Sequence, residues 1–208
     1  MHLKGLLTFI ILLYVQPITV VAANFIEGQH YLTLKSPKSK QPEIREFFSF
    51  YCPHCYNQEP FMKELQNKLP SRAKFVKNHV EGMPNRNSEV EKLLTKALII
   101  GDRMRVKDKL VDAIFKKIHV NKGDFKSADD IKQLFMSFGV SEIMYDSTAS
   151  SFSVDIKYND MKHKANTLRA QGHSSVPTLI INGKYKPITT QITSMGQYKE
   201  LIYFLLKK

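Results

Sequence analysis

The 208-residue sequence predicts an α/β domain that is interrupted by a helical insertion. A strand pattern, a helical pattern and a second strand pattern follow one another between residues 43 and 80. From residue 86 to residue 171 the apolar spacing is helical, and a strand hairpin and a last helix follow. Since strand–helix–strand units build parallel sheets, we expect residues 24–85 and 172–208 to form one sheet domain around an insertion at 86–171.

The first sheet unit is predicted from Glu43 onwards. Residues 43–50 have the pattern of a buried strand, and the apolar positions after Cys52 recur with helical spacing to about Leu69. Pro70 ends this helix, because proline cannot continue the helical hydrogen bonds. Residues 75–80 then return as a second strand. The cysteine therefore lies at a strand-to-helix turn.

Four helical segments are predicted in the insertion from local start and stop signals. They are a segment from Asn87 or Ser88 to Ile100 with a stop at Gly101, four-residue apolar steps from Val106 to Ile118, a segment from Ile131 to Phe138 with Ser127 and Asp130 before it and Gly139 after it, and a long pattern from Ser151 to Ala170.

The last part of the chain returns to strand patterns. Residues 176–181 are apolar and β-branched, and Asn182-Gly183 is a strong hairpin turn that leads into Tyr185. Residues 197–206 form a closing amphipathic helix pattern. These elements complete the sheet that the first part begins.

Cys52 and Cys55 are the only cysteines and form a C-x-x-C pair at the predicted start of the first helix. A helix that begins at the first cysteine brings both sulfurs to one side, so the pair can close a small disulfide ring. A purely structural disulfide is the alternative, but so short a ring removes little entropy from the unfolded chain. The pair is therefore interpreted as a thiol redox centre.

Residues 1–23 have the layout of a secretory signal peptide. One cation, Lys4, precedes an apolar core at 6–15, and the small residues Ala22 and Ala23 follow, after either of which cleavage is expected. The alternative is an uncleaved membrane anchor, but the apolar core of roughly ten residues is half the length that a bilayer needs. Export implies an oxidising compartment, where a cysteine pair can persist as a disulfide.

The formal net charge is +12, and Lys4 is the only charged residue before Asn24. The lysines are scattered along helical faces and no aromatic-basic RNA motif accompanies them, so nucleic-acid binding is not expected. A solvated basic surface is the simplest interpretation, and a preference for acidic substrates or an anionic surface is the alternative. The roughly 185 residues after the leader suit one domain with a substantial core.

Two runs of the sequence resemble one family. Residues 46–56, with Pro53-His54 between the cysteines, and residues 176–185 are similar to the periplasmic disulfide oxidases of the DsbA family. The resemblance extends over nearly the whole mature chain. It implies a thioredoxin fold with an inserted helical domain, in agreement with the element pattern.

The resemblance also implies roles for individual residues. Cys52 would be the exposed sulfur that substrates attack, and Cys55 the buried partner. The Pro53-His54 dipeptide would tune the pair, with the His54 ring donating to the sulfur or carrying charge near it.

Two further pairs of residues have roles by the same resemblance. Val176 and Pro177 would form a cis-proline loop beside the cysteines that holds an extended substrate segment. Glu46 and Lys77 would be buried beneath the disulfide, although such side chains in strands usually face solvent.

The resemblance implies that the protein acts in the periplasm. Its substrates would be unfolded or newly exported cysteine-containing proteins, and a DsbB-like membrane protein would reoxidise it. No metal and no cofactor beyond the Cys52–Cys55 disulfide is expected.

Three other functions remain open at this stage. The first is a reductase or isomerase on the same fold, although thioredoxin-like reductases usually carry Gly-Pro between the cysteines. The second is a zinc module, but zinc commonly needs four ligands and the chain has a single C-x-x-C. The third is a peptide-binding chaperone without redox chemistry, which would remain active after Cys52→Ser.

Overall fold

The computed structural model describes residues 24–208, so the predicted leader at residues 1–23 lies outside the described residues. None of the helices between residues 24 and 208 combines the length and the hydrophobicity of a membrane-spanning segment. The elements, in chain order, are β1 (Tyr31–Thr33), β2 (Glu43–Phe48), α1 (Pro53–Asn67), β3 (Lys74–His79), α2 (Ser88–Arg103), α3 (Lys107–Phe115) with a π-helical turn (Lys116–Val120), α4 (Ala128–Ser137), α5 (Glu142–Ala149), α6 (Phe152–Ala170), β4 (Thr178–Ile181), β5 (Tyr185–Pro187) and α7 (Met195–Lys207).

The five strands form one sheet in the order β1-β5-β4-β2-β3. Strands β2 and β3 run parallel, as the strand–helix–strand pattern predicts, and the other pairs are antiparallel. Helices α1 and α7 pack together with strand residues such as Ile44 and Ile181, which are fully buried. Strand β2 lies inside the sheet, and all of its residues after Glu43 are buried, including the charged Arg45 and Glu46. These two side chains therefore need buried polar partners.

The helices inserted between β3 and β4 enclose a second apolar core. Leu94, Ile114 and Phe135 from these helices share this core with Phe48 at the end of β2 and with Cys55. The cysteine pair thus lies where the sheet meets the inserted helices.

Two local signals in the sequence are confirmed. The Ser127 hydroxyl and the Asp130 carboxylate form the reciprocal capping box that begins α4, and Gly139 follows this helix with φ +85°. Asn182 and Gly183 have φ of 53° and 69°, which both residues of a two-residue hairpin turn of this kind require.

The prediction that the second helix stops at Gly101 is wrong, because α2 continues to Arg103. A Cβ atom at position 101 would lie 2.7 Å from Leu110 Cδ2. The glycine therefore allows α2 and α3 to approach closely, and it does not end the helix.

Strand β1 and helix α5 were not predicted from the sequence. Strand β1 has three residues, too few to show a period. Helix α5 buries only Tyr145, while Ile143 is 82% exposed, so it has no apolar stripe for the sequence pattern to display.

Candidate active site

The cysteine pair lies at the first turn of α1. Cys52 precedes the helix with extended backbone angles (φ −87°, ψ 114°), and its Sγ atom accepts a hydrogen bond from the Cys55 backbone N–H at 3.4 Å. Pro53 occupies the first helical position, where a missing N–H costs no intrahelical bond. The free N–H groups and the positive end of the helix dipole are therefore directed at the Cys52 sulfur and favour its thiolate.

Both cysteines are free thiols in the structure, and both are buried. Cys52 is 4% exposed and Cys55 0%. The expectation that Cys52 is an exposed sulfur is therefore wrong for the thiol form. The reason is the loop before β4, where the Cys52 thiol lies 3.5 Å from the Val176 carbonyl oxygen and donates to it.

The loop that covers Cys52 contains the predicted cis-proline. The Val176–Pro177 peptide bond is cis, as the resemblance implies. Strand β4 begins at Thr178, two residues later than the sequence pattern predicts. The structure thus brings Val176, Pro177 and Cys52 together.

The environment of Cys55 disfavours its thiolate, unlike that of a reactive cysteine. Burial raises the pKa of the Cys55 thiol well above its ordinary value, and the nearby Cys52 and Glu46 raise it further, although a hydrogen bond with the Ser49 backbone opposes them. Cys55 therefore remains protonated at neutral pH while it is a thiol.

His54 is exposed at the first turn of α1. Among the described residues, no hydrogen bond joins its ring to either cysteine. The role of His54 in stabilising the Cys52 thiolate stays a prediction from its position.

Glu46 and Lys77 are both buried, and they meet on neighbouring strands. Lys77 Nζ donates to Glu46 Oε2 at 2.7 Å, and it also donates to Glu59 Oε2 of α1 at 2.6 Å. The Lys77 ammonium lies 4.6 Å from the centre of the Phe48 ring. One buried cation is therefore shared by two buried carboxylates.

The electrostatics of this triad follow from burial. Burial raises the pKa of Glu46, and it raises the pKa of Glu59 to about 7, because Lys77 only partly offsets the cost of an ionised carboxylate there. For Lys77, burial opposes the charge, but the two carboxylates outweigh it and raise the lysine pKa. Two carboxylates around one ammonium can thus hold an extra proton near neutral pH.

Glu59 was missed by the sequence analysis. A signal was available, because Glu59 lies four residues after Cys55 and so shares its helix face. A carboxylate on the buried face of α1 indicates a buried ionic partner.

A buried histidine completes the floor of the site. The His79 Nδ1 atom lies 2.8 Å from the Thr95 hydroxyl, and its ring packs 5.0 Å from that of Phe50. Burial lowers the pKa of His79 to about 3, so the ring is neutral. It contributes no charge to the cysteine pair.

This geometry can support reversible dithiol–disulfide chemistry at one residue pair. Cys52 has helix-terminal donors that favour its thiolate, Cys55 is held protonated three residues further along the chain, and the Val176 loop covers the Cys52 sulfur. Among residues 24–208, no three His, Cys, Asp or Glu side chains are grouped to hold a metal ion. The class of protein so defined is a thiol:disulfide oxidoreductase.

Sequence comparison identifies the family. A model of the DSBA-like thioredoxin domain matches residues 43–202. The thiol:disulfide interchange proteins DsbA of Dickeya dadantii and of Escherichia coli K12 are 34% and 31% identical to this chain, and each match covers 90% of this chain and 91% of the relative. The chain belongs to the DSBA-like thioredoxin domain family.

Solved structures agree with this assignment. DsbA of Proteus mirabilis, in complex with the non-covalently bound peptide PWATCDS, has a TM-score of 0.77 at 28% identity and covers 89% of this chain and 100% of its own. The DsbA disulfide interchange protein of Klebsiella pneumoniae has a TM-score of 0.76 at 26% identity and covers 90% of this chain and 100% of its own. The prediction of a thioredoxin fold with an inserted helical domain is confirmed.

The family membership also confirms the predicted activity. The protein is a thiol:disulfide oxidoreductase that forms disulfide bonds as a dithiol oxidase. The reductase or isomerase alternative is not favoured by these relatives.

Proposed function

We propose that the protein acts in the periplasm and donates its Cys52–Cys55 disulfide to newly exported proteins through a mixed disulfide at Cys52. The observation that carries this assignment is the 3.5 Å separation between Cys52 Sγ and the Val176 carbonyl oxygen. It places the first cysteine against the loop that would hold a substrate, while Cys55 is enclosed by the core.

The oxidised enzyme reacts in two exchange steps. A substrate thiolate attacks Cys52 Sγ, the Cys52–Cys55 bond breaks, and Cys55 leaves with the electron pair and takes up a proton. The second substrate thiolate attacks the substrate sulfur of the mixed disulfide and expels Cys52 as a thiolate. Two electrons pass from the substrate to the enzyme, and the substrate gains one disulfide.

The two cysteines are suited to these different steps. Cys52 leaves readily because the Cys55 N–H and the α1 dipole stabilise its thiolate, with His54 proposed as a further donor. Cys55 accepts its proton readily because burial raises its pKa. A well stabilised Cys52 thiolate makes the reduced enzyme favourable and the disulfide a strong oxidant.

Substrate recognition is proposed at the Val176–Pro177 loop. The backbone groups of this loop can hold an extended segment as an added strand, which selects conformation more than sequence. Val176 packs against the buried residues Val80 and Leu168, which anchors the loop beside Cys52. The non-covalently bound peptide of the Proteus mirabilis relative supports peptide binding by this chain.

The proposed cycle also requires export of the protein and reoxidation of its cysteine pair. The predicted leader supports export to an oxidising compartment, where the disulfide can form. A DsbB-like membrane protein is proposed to take the two electrons from the reduced cysteine pair and pass them to a quinone.

A trapping experiment tests the residue roles. Reduced Cys55→Ser protein is mixed with a peptide whose single cysteine is held in an activated aromatic disulfide. We expect a stable adduct between Cys52 and the peptide, since Cys55 is not there to resolve it. The oxidised wild-type protein is expected to convert a reduced two-cysteine peptide to its disulfide at one equivalent.

The Cys52→Ser variant is the matched control. It should form no adduct and oxidise no peptide. Oxidation at the wild-type rate by Cys52→Ser would overturn the proposed role of Cys52. Full biological activity of this variant without peptide oxidation would instead favour a chaperone without redox chemistry.

A further inference from the structure

A segment of the inserted helices contacts residues on both sides of the cysteine pair. Helix α3 ends at Phe115 and continues as the π-helical turn Lys116–Val120, in which the Asn121 N–H donates to the Lys116 carbonyl oxygen at 2.9 Å. This wide turn changes the side-chain register of the helix, a feature that frequently occurs at functional sites. We call residues 116–124 the π segment.

His119 of the π segment holds the backbone that precedes Cys52. Its Nε2 atom lies 2.8 Å from the carbonyl oxygen of Phe50, a fully buried residue two positions before Cys52. Because a carbonyl oxygen only accepts, the His119 ring must carry a proton on Nε2 and donate it. The tautomer of His119 is therefore set by this bond.

The same ring also holds the residue that follows Cys55. His119 is stacked on Tyr56, with ring centres 5.0 Å apart and planes 9° from parallel. The Tyr56 N–H in turn donates to the Cys52 carbonyl oxygen at 3.1 Å. One side chain thus spans the C-x-x-C turn from the strand side to the helix side.

Asp124 makes a second contact from the π segment. The Tyr51 hydroxyl donates to Asp124 Oδ1 at 2.5 Å, and the Phe125 N–H donates to the same oxygen at 2.8 Å. The Arg86 guanidinium lies 4.3 Å from the centre of the Tyr51 ring, and its Nη1 atom is 3.6 Å from Asp124 Oδ2. The residue directly before Cys52 is therefore fixed at both its ring and its hydroxyl.

We propose that His119 and Asp124 are positioning residues that hold Cys52 Sγ in place against the Val176 loop for attack by a bound peptide thiol. The inference rests on the proposed role of Cys52. Neither side chain touches the sulfur, and they act through Phe50, Tyr51 and Tyr56. Holding the reacting atoms in line lowers the barrier of a bimolecular reaction substantially. Small displacements of Cys52 Sγ should therefore slow peptide oxidation.

The main test compares a peptide substrate with a small thiol. For oxidised His119→Ala, we expect the rate constant with a reduced two-cysteine peptide to fall about tenfold, because Cys52 Sγ is no longer held in line with the bound peptide thiol. The rate with reduced glutathione should fall less than about threefold, because this small thiol needs no alignment along the Val176 loop. A loss of folding alone would lower both rates in the same proportion.

Conservative variants separate the His119–Phe50 hydrogen bond from the stacking of His119 on Tyr56. His119→Gln keeps an N–H donor for the Phe50 carbonyl, so we expect its peptide rate to lie within about threefold of wild type. Tyr51→Phe loses only the hydroxyl that donates to Asp124. Its rate with the peptide should also fall more than its rate with glutathione, but by less than in His119→Ala. The controls are His163→Ala, an exposed histidine on α6, and Tyr203→Phe, whose hydroxyl contacts Lys68 far from the cysteines.

The outcomes are distinct. Wild-type peptide rates in both His119→Ala and Tyr51→Phe, or equal proportional losses with peptide and glutathione, would overturn the positioning role. A wild-type protein that fails to oxidise the peptide would instead contradict the proposed function itself.

Discussion

Lys77 Nζ lies 2.6 Å from Glu59 Oε2, and this contact joins strand β3 to helix α1 behind the cysteine pair. The Lys77 ammonium also pairs with Glu46, so its charge is the only compensation that the triad offers for two buried carboxylates. Removal of one partner from such a buried group leaves the others with an uncompensated desolvation cost.

We predict that Lys77→Met strongly destabilises the fold. Two buried carboxylates would lose their cation, and the free energy of unfolding at pH 7 should fall by about 3–5 kcal/mol. Urea unfolding of the purified protein measures this change. Lys68→Met is the matched control, because Lys68 pairs with Glu64 on the surface and should show no measurable change. A loss for Lys77→Met no larger than that of the control would contradict the buried triad.

The second prediction concerns pH. Because the pKa of Glu59 is raised from 4.5 to about 7 in the folded protein, the folded state binds more protons than the unfolded state between these values. The wild type should lose stability as pH rises through this window, by roughly 3 kcal/mol in total from this group.

Glu59→Gln removes this titration. The unfolding free energy of the variant, relative to wild type, should therefore rise between about pH 4.5 and pH 7 and then level off. Unfolding curves at five or six pH values provide the comparison. A difference that stays constant across the window would show that the Glu59 pKa is not raised.

The third prediction concerns the contact between α2 and α3. Gly101→Ala would place a methyl group 2.7 Å from Leu110 Cδ2 in a fully buried position, and we expect it to cost about 1–3 kcal/mol of stability. Gly196→Ala is the control, because the added Cβ would lie 3.6 Å from Ser194 Oγ, an ordinary van der Waals contact, and alanine favours the helix. Thermal unfolding of both variants tests this, and equal midpoints would contradict the close packing.

The fourth prediction concerns His54. If its ring stabilises the Cys52 thiolate, His54→Ser should make the disulfide less oxidising, with an equilibrium constant against glutathione changed by about tenfold, the equivalent of one pKa unit. His173→Ser is the control, because His173 lies on the loop before Val176 and its loss removes one imidazole elsewhere in the protein. An unchanged equilibrium constant with glutathione in His54→Ser would show that His54 does not stabilise the Cys52 thiolate.

Local chemistry made part of the structure predictable. The Ser127–Asp130 capping box and the Asn182-Gly183 turn depend on neighbouring residues only, so the sequence displays them directly. The C-x-x-C pair is equally local, because the start of α1 after a strand determines where both sulfurs lie.

Other features depend on contacts between distant residues. Gly101 has the sequence signal of a helix stop, yet its role comes from Leu110 in the next helix. The burial of Cys52 comes from Val176, more than a hundred residues away. His119 carries no motif of its own, and only the folded π segment brings it to Phe50.

The most direct test of the central claim is the equilibrium of the purified mature protein with graded mixtures of reduced and oxidised glutathione, with the Cys52–Cys55 state as the readout. We predict a strongly oxidising midpoint, because the first turn of α1 stabilises the Cys52 thiolate. Half of the cysteine pair should then be reduced by a low concentration of reduced glutathione in a mixture that is mostly oxidised glutathione. A midpoint as reducing as that of thioredoxin would contradict the oxidase function and leave the fold alone established.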